Sequence, residues 1–258
     1  MSEGVAACAE LVRRGDPDRF LATMAAPPGA RAVLFPIYAF NLEVARAPFA
    51  SAEPMIGEMR LQWWRDVLDE LGRGAAPRAH EVVAPLADVA AAGRLPLDVL
   101  DALVAAHRVH AEAKGFEDAG HFEDFIERTG AGLMWAAAAA LGAGAEAEPA
   151  VRAHGWAAGL AAYFRAIPDL EARGLRPLPD GRPEAVRALA ARGRARLAEA
   201  RRQAMPCAAR PALLAGWRAG PTLARAEADP GCVARGELAE SEFRRRGGLL
   251  WRALRGGW

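Results

Sequence analysis

Lysine is nearly missing from this chain: Lys114 is the only one among 33 basic side chains. Cysteine is scarce as well, and Cys8, Cys207 and Cys232 lie far apart with no CxxC spacing. That pattern excludes a disulfide framework and a cysteine zinc site, and it points to a reducing compartment. Long apolar runs are also lacking. The longest candidate, Leu133 to Ala145, falls short of the roughly 20 residues a spanning helix needs, so a soluble or peripheral protein is expected. Residues 1–14 carry Glu3 and Glu10 and no apolar centre, so no secretory leader is expected there. No stretch alternates apolar and polar residues long enough to predict a strand. No nucleophile elbow, Walker loop, dinucleotide fingerprint or nucleic-acid motif occurs. His107 and His110 are the one histidine pair at metal-ligand spacing, and two ligands alone make no zinc site.

What remains is a helical chain. With 258 residues, 52% of them hydrophobic and 25% charged, there is material for a large core in one domain spanning residues 1–258. Asp16-Pro17-Asp18 is a helix start, with Asp16 as cap and Pro17 in the first turn. Ala30 to Ala47 reads as an apolar helix bent near Pro36. Pro54 opens an amphipathic helix whose Met55, Met59, Trp63, Val67 and Leu71 recur at helical spacing. Further helices are predicted near 81–92, 96–114, 121–142, 149–167, 183–204, 206–219 and 233–246, which gives an all-α fold, a mixed bundle. The segment Asp169 to Arg182, rich in proline, is predicted as the longest irregular connection and a mobile flap.

The net charge of +1 hides an asymmetry. Residues 182–258 carry nine more positive than negative side chains, and residues 1–181 carry eight more negative than positive. The C-terminal third therefore suits an anionic partner or an anionic membrane surface. A basic and aromatic tail at 243–258 sharpens this: Phe243 to Leu250 is expected to pack, and Trp251 to Trp258 to be free to meet lipid. The carboxylate pairs Asp66/Glu70, Glu123/Glu127 and Asp98/Asp101 have helical spacing but sit among other charges, as solvated faces do.

Four blocks carry a resemblance over roughly residues 10–215. They are Leu34 to Arg46, Ile56 to Asp66, Arg128-Thr129-Gly130-Ala131-Gly132-Leu133-Met134, and Tyr163 to Pro179. Together they resemble the squalene/phytoene synthase family, which implies a prenyl-synthase helical bundle. Such enzymes ionise an allylic diphosphate against magnesium held by two facing DxxxD motifs, because hard cations want carboxylate oxygens and residues four apart share a helical face. Here the first motif falls on Ala45, Arg46 and Phe49 and the second on Ala166 and Leu170, none of which offers an oxygen. Positions where the family carries polar amides fall on Gly159 and Ala162.

Ala39 to Ala45 and Leu160 to Pro168 are most similar to a divergent branch that helps assemble respiratory complex I in mitochondria and related bacteria. The resemblance implies a catalytically silent protein with no cofactor, cytoplasmic and peripheral to the inner membrane, whose partners are complex I subunits or assembly intermediates. It also implies an apolar cavity between the two former motif helices, with Tyr38, Asn41, Tyr163 and Arg165 near its mouth. Two alternatives stay open at this point: a magnesium-dependent transferase condensing two prenyl diphosphates, and a carrier of a prenyl lipid. Arg46 and Arg165 are the candidate ligands should an anion site survive.

Overall fold

The computed structural model describes residues 2–51, 53–112 and 115–255. Lys114 and the last three residues of the predicted tail lie outside these. Among the described residues every regular element is helical, as the lack of alternation predicted. The N-terminal half runs α1 (Glu3–Gly15), α2 (Pro17–Ala25), α3 (Pro28–Arg46), α4 (Pro54–Gly72), α5 (Val83–Ala91), α6 (Leu97–Ala106) and α7 (Arg108–Ala111). The rest is α8 (Ala119–Ile126), α9 (Gly132–Ala140), α10 (Glu148–Ala172), α11 (Pro183–Ala200), α12 (Arg210–Leu213), α13 (Ala219–Ala228), α14 (Gly231–Ala234) and α15 (Glu242–Arg255).

The predicted start of α2 is realised: Asp16 Oδ1 accepts from the Arg19 amide at 2.9 Å, and Pro17 stands in the first turn where its missing N–H costs nothing. Asp118 caps α8 in the same way, accepting from the His121 amide at 2.8 Å.

Several boundaries differ from the sequence expectation. The helix predicted to stop before Pro168 runs through it to Ala172, because the single hydrogen bond that proline removes is outweighed by the buried Ile167 and Leu170 on either side. Gly174, at φ 79°, then ends it, with the Leu175 amide donating back to the Leu170 carbonyl at 3.1 Å. The predicted helix 121–142 is two helices joined by a π turn over Glu127–Ala131. The expected helices at 206–219 and 233–246 give way to α12, α13, α14 and α15, so the tail predicted from 243 is mostly helix.

The core divides around α10. One hydrophobic cluster gathers α1, α3, α4, α5, α6 and α9, with Leu34, Phe35, Phe40 and Leu100 fully enclosed. A second gathers α8, α10, α11 and α13, with Phe122, Trp156, Phe164 and Leu223 enclosed. A small third cluster of Ala22, Leu214, Trp217 and Leu249 pins α15 to α2. None of the helices among the described residues is long and apolar enough to cross a membrane.

Candidate functional site: a closed lumen between the former motif helices

Where α10 meets the π turn, the backbones approach so closely that only glycine fits. A Cβ on Gly159 or on Gly130 would sit 2.7 Å from the other's Cα, and one on Gly155 would sit 2.8 Å from the Ala131 Cα. Beside this contact lies a pocket of about 40 Å³, bounded by Tyr38 of α3, Gly155, Gly159 and Arg165 of α10, and Asp18 and Arg19 of α2. That is room for a few water molecules at most. Around Tyr38 and Arg165, where the resemblance places the mouth of an apolar cavity, the described residues leave only this small pocket.

The small cavity is lined by charge instead. The Arg218 Nη1 donates to Asp18 Oδ2 at 2.5 Å, Arg165 Nη2 lies 3.8 Å from the same oxygen, and Arg245 Nε lies 3.8 Å from Oδ1. Arg218 also donates from Nε to Glu240 at 3.2 Å. Arg19 pairs with Asp16 at 3.0 Å and holds its guanidinium 5.5 Å from the centre of the Tyr38 ring. Burial and the neighbouring Arg218 cation push the Arg165 guanidinium down to about 10, partly offset by the Asp18 carboxylate. Burial pushes the Tyr38 phenol well up, and its hydroxyl has no hydrogen-bond partner among the described residues.

Of the four cavity candidates, Tyr38 and Arg165 line the space. Asn41 is buried on α3 but is not part of the lining. Tyr163 faces away, into an aromatic group with His110, Phe116, Phe122 and Phe125, and its hydroxyl donates to the Pro177 carbonyl at 2.8 Å. That bond ties down the connection expected to be a mobile flap, which α10 also shortens at its start. Arg46 is exposed at the end of α3 and stands apart from Arg165, so the two do not form one anion site.

The residues do not fit a magnesium cluster. Ala45, Ala166 and Leu170 are apolar, and Phe49 packs its ring 5.8 Å from His110 with the Arg173 guanidinium 4.8 Å from its centre. The acids nearest the lumen, Asp16 and Asp18, are engaged by arginines. Among the described residues no three histidine, cysteine or acidic side chains are grouped to hold a metal. Four of the six spaced carboxylates are likewise spent on arginines, Glu70 on Arg78 at 2.7 Å, Asp101 on Arg65 at 2.7 Å, Glu123 on Arg192, and Glu127 on Arg196 at 3.4 Å, while Asp66 accepts from the Gln62 side-chain amide at 2.8 Å.

The squalene/phytoene synthase family model matches residues 12–240 of this chain. The chain belongs to the squalene/phytoene synthase family. The solved structures agree on the fold. A dehydrosqualene synthase superposes with a TM-score of 0.76 at 14% identity, covering 96% of this chain and 95% of that one. Squalene synthase HpnC from Alicyclobacillus acidocaldarius superposes at 0.69 with 19% identity, covering 87% and 93%. In sequence, the chain is 27% identical over 163 residues to the Bos taurus protein named NADH dehydrogenase (ubiquinone) complex I, assembly factor 6, over 62% of this chain and 48% of that protein. The homologue from Drosophila melanogaster is 29% identical over 171 residues, 64% of this chain and 51% of that protein. The chain thus spans about half the length of the curated relatives it matches.

Sequence reasoning missed the centre of this synthase-fold lumen. Asp18 was read only as part of a helix start, and Arg218 and Arg245 only as part of a basic surplus. The one available signal was the run Gly155 to Gly159, whose i, i+4 glycines mark a helix face open to close packing.

Proposed function

We propose that this chain is a non-catalytic member of its family that assists the assembly of respiratory complex I. The observation that carries the reading is the replacement of every expected ligand oxygen, at Ala45, Arg46, Phe49, Ala166 and Leu170, in a chain whose curated relatives are named complex I assembly factors. Diphosphate departure needs cations to absorb the developing negative charge, and these side chains cannot hold them. The 40 Å³ pocket beside Tyr38 and Arg165 is itself too small for a prenyl tail, which needs a far longer apolar channel.

Its place is the inner membrane surface, reached through α15. Leu249 turns inward at 7% exposure, while Phe243, Leu250 and Trp251 stand outward at 88%, 60% and 57% beside Arg246. The outward side thus begins at Phe243, earlier than the sequence suggested. An arginine-flanked apolar stripe of this kind suits an anionic headgroup layer.

Deleting the gene tests the main reading. NADH:quinone oxidoreductase activity and the amount of assembled complex I should fall, with hopanoid and carotenoid content unchanged. Normal complex I in the deletion strain would defeat it. Release of diphosphate from farnesyl or geranylgeranyl diphosphate by the purified protein with magnesium would establish catalysis instead. A stoichiometric prenyl lipid in native mass spectra would establish carriage.

A further inference from the structure

Away from the small pocket, the end of α3, the middle of α4 and the residue after α10 border an open groove of about 580 Å³. Arg46, Arg60 and Arg173 line it, and all three are exposed. Among the described residues none of them closes an ion pair, although most other arginines of the protein do. Its apolar wall is Trp63, Trp64 and Phe49, the two indoles meeting edge to face at 4.8 Å between ring centres. His80 leans on both indoles, at 5.4 and 5.2 Å. Glu43 is the single acid in the lining.

The groove continues along α4. Met55, Met59 and Trp63 are successive residues at i, i+4 on one helical face, and the two methionines are 72% and 65% exposed. Methionine adapts its shape to many apolar partners, so a row of exposed methionines beside an aromatic wall favours a binding surface over a solvated one. Three uncompensated arginines demand negative charge in whatever lies there, and guanidinium forks favour carboxylates in bidentate geometry. The stripe from Met55 to Trp63 rises about 12 Å along the helix, which is more than a single headgroup or small anion covers.

We infer that this groove and stripe dock an acidic, amphipathic segment of a partner protein, its carboxylates meeting Arg46, Arg60 and Arg173 and its apolar side chains lying on Met55, Met59 and Trp63. The inference rests on the assembly reading and gives that reading a partner chemistry. It also gives a role to Arg46, which replaces an expected aspartate with the opposite charge.

The test uses the full chain and a fluorescein-labelled 16-residue amphipathic peptide of glutamate and leucine, with a counterpart in which every glutamate is glutamine. Anisotropy titration should show saturable binding of the acidic peptide. Binding should weaken about tenfold or more for the glutamine peptide and for the double variant Arg60→Glu/Arg173→Glu, and added salt should weaken it further. Both arginines are exposed, and a circular dichroism melt checks that the variant folds. Equal affinity for the two peptides, or for the variant and the parent, overturns the inference. So does a variant that binds the acidic peptide normally but loses anionic phosphatidylglycerol vesicles, which would make the groove a lipid surface. Returned to a deletion strain, the variant should fail to restore complex I. Full restoration would overturn the groove's role while leaving the assembly reading intact.

Discussion

Asp18 and Arg218 meet at 2.5 Å across 200 residues of chain, and this contact ties the N-terminal helices to the C-terminal third. The carboxylate comes from the first turn of α2 and the guanidinium from the residue before α13, with Arg165 of α10 and Arg245 of α15 gathered around the same acid. Both partners are largely buried, with side chains 15% and 10% exposed.

Replacing Asp18 should therefore cost more than an exposed pair would. The Asp18→Asn variant leaves Arg218 and Arg165 without their shared counter-charge, and about 3–5 kcal/mol of unfolding free energy should be lost. Arg73→Ala, which breaks a fully surface pair with Asp69, should cost under about 1 kcal/mol. Urea midpoints of the two variants check this. Equal losses would mean the buried cluster contributes no more than surface charge does.

The close packing of Gly130 on Gly159 gives a second prediction. Gly159→Ala places a methyl 2.7 Å from backbone that cannot swing aside, so α10 or the π turn must shift, at about 1–3 kcal/mol. Gly29→Ala in the first turn of α3, with open space around the new methyl, should be neutral or slightly stabilising. Thermal melts of both variants separate packing from helix propensity. If the Gly159 variant melts with the parent, this backbone contact does not contribute to the stability of the bundle.

How much of this was legible beforehand follows from the kind of interaction involved. Helix starts at Asp16-Pro17 and Pro54 were readable because capping and proline effects act within one turn of chain. The missing ligands at Ala45, Arg46, Phe49, Ala166 and Leu170 were readable because a motif has fixed local spacing. The Asp18 cluster was not, since its arginines lie 147 to 227 residues from Asp18 in sequence and only the tertiary fold brings them to it. The helix through Pro168 was misjudged for the same reason: burial of Ile167 and Leu170 is a tertiary gain that local propensity does not register. The aromatic surroundings of Tyr163 were likewise hidden, and with them the anchoring of the 173–182 connection.

Tyr163→Phe tests that anchor. It removes only the hydrogen bond to the Pro177 carbonyl, so global stability should fall by about 1 kcal/mol. Proteolytic cleavage within residues 173–182 should quicken by several-fold, while other sites keep their rates. Uniformly faster cleavage everywhere would mean that the bond serves the whole core and not this one connection.

The histidines enclosed beside Tyr163 give the chain a dependence on pH. Burial, with His110 adding to it, pushes His107 down to about 3, and burial pushes His110 down to about 4. Neither nitrogen of His110, nor Nδ1 of His107, has a hydrogen-bond partner among the described residues. Both rings are thus neutral in the folded state down to low pH, while in the unfolded chain they take up protons near pH 6.5. The unfolded state then binds more protons between about pH 6.5 and 4, so stability rises with pH through that window and is lost as the solution is acidified. Each ring contributes up to about 1.4 kcal/mol per pH unit, and the pair should remove on the order of 2–4 kcal/mol between pH 6.5 and 5. The His110→Phe variant keeps a ring against Phe116, Phe125 and Tyr163 but titrates one group fewer. Its urea midpoint should fall less steeply than the parent's over this range, by roughly half of the pair's contribution. Carboxylates titrating elsewhere act on both proteins alike and cancel in the difference. Parallel midpoint curves for the two proteins would show that His110 is protonated as readily in the fold as out of it.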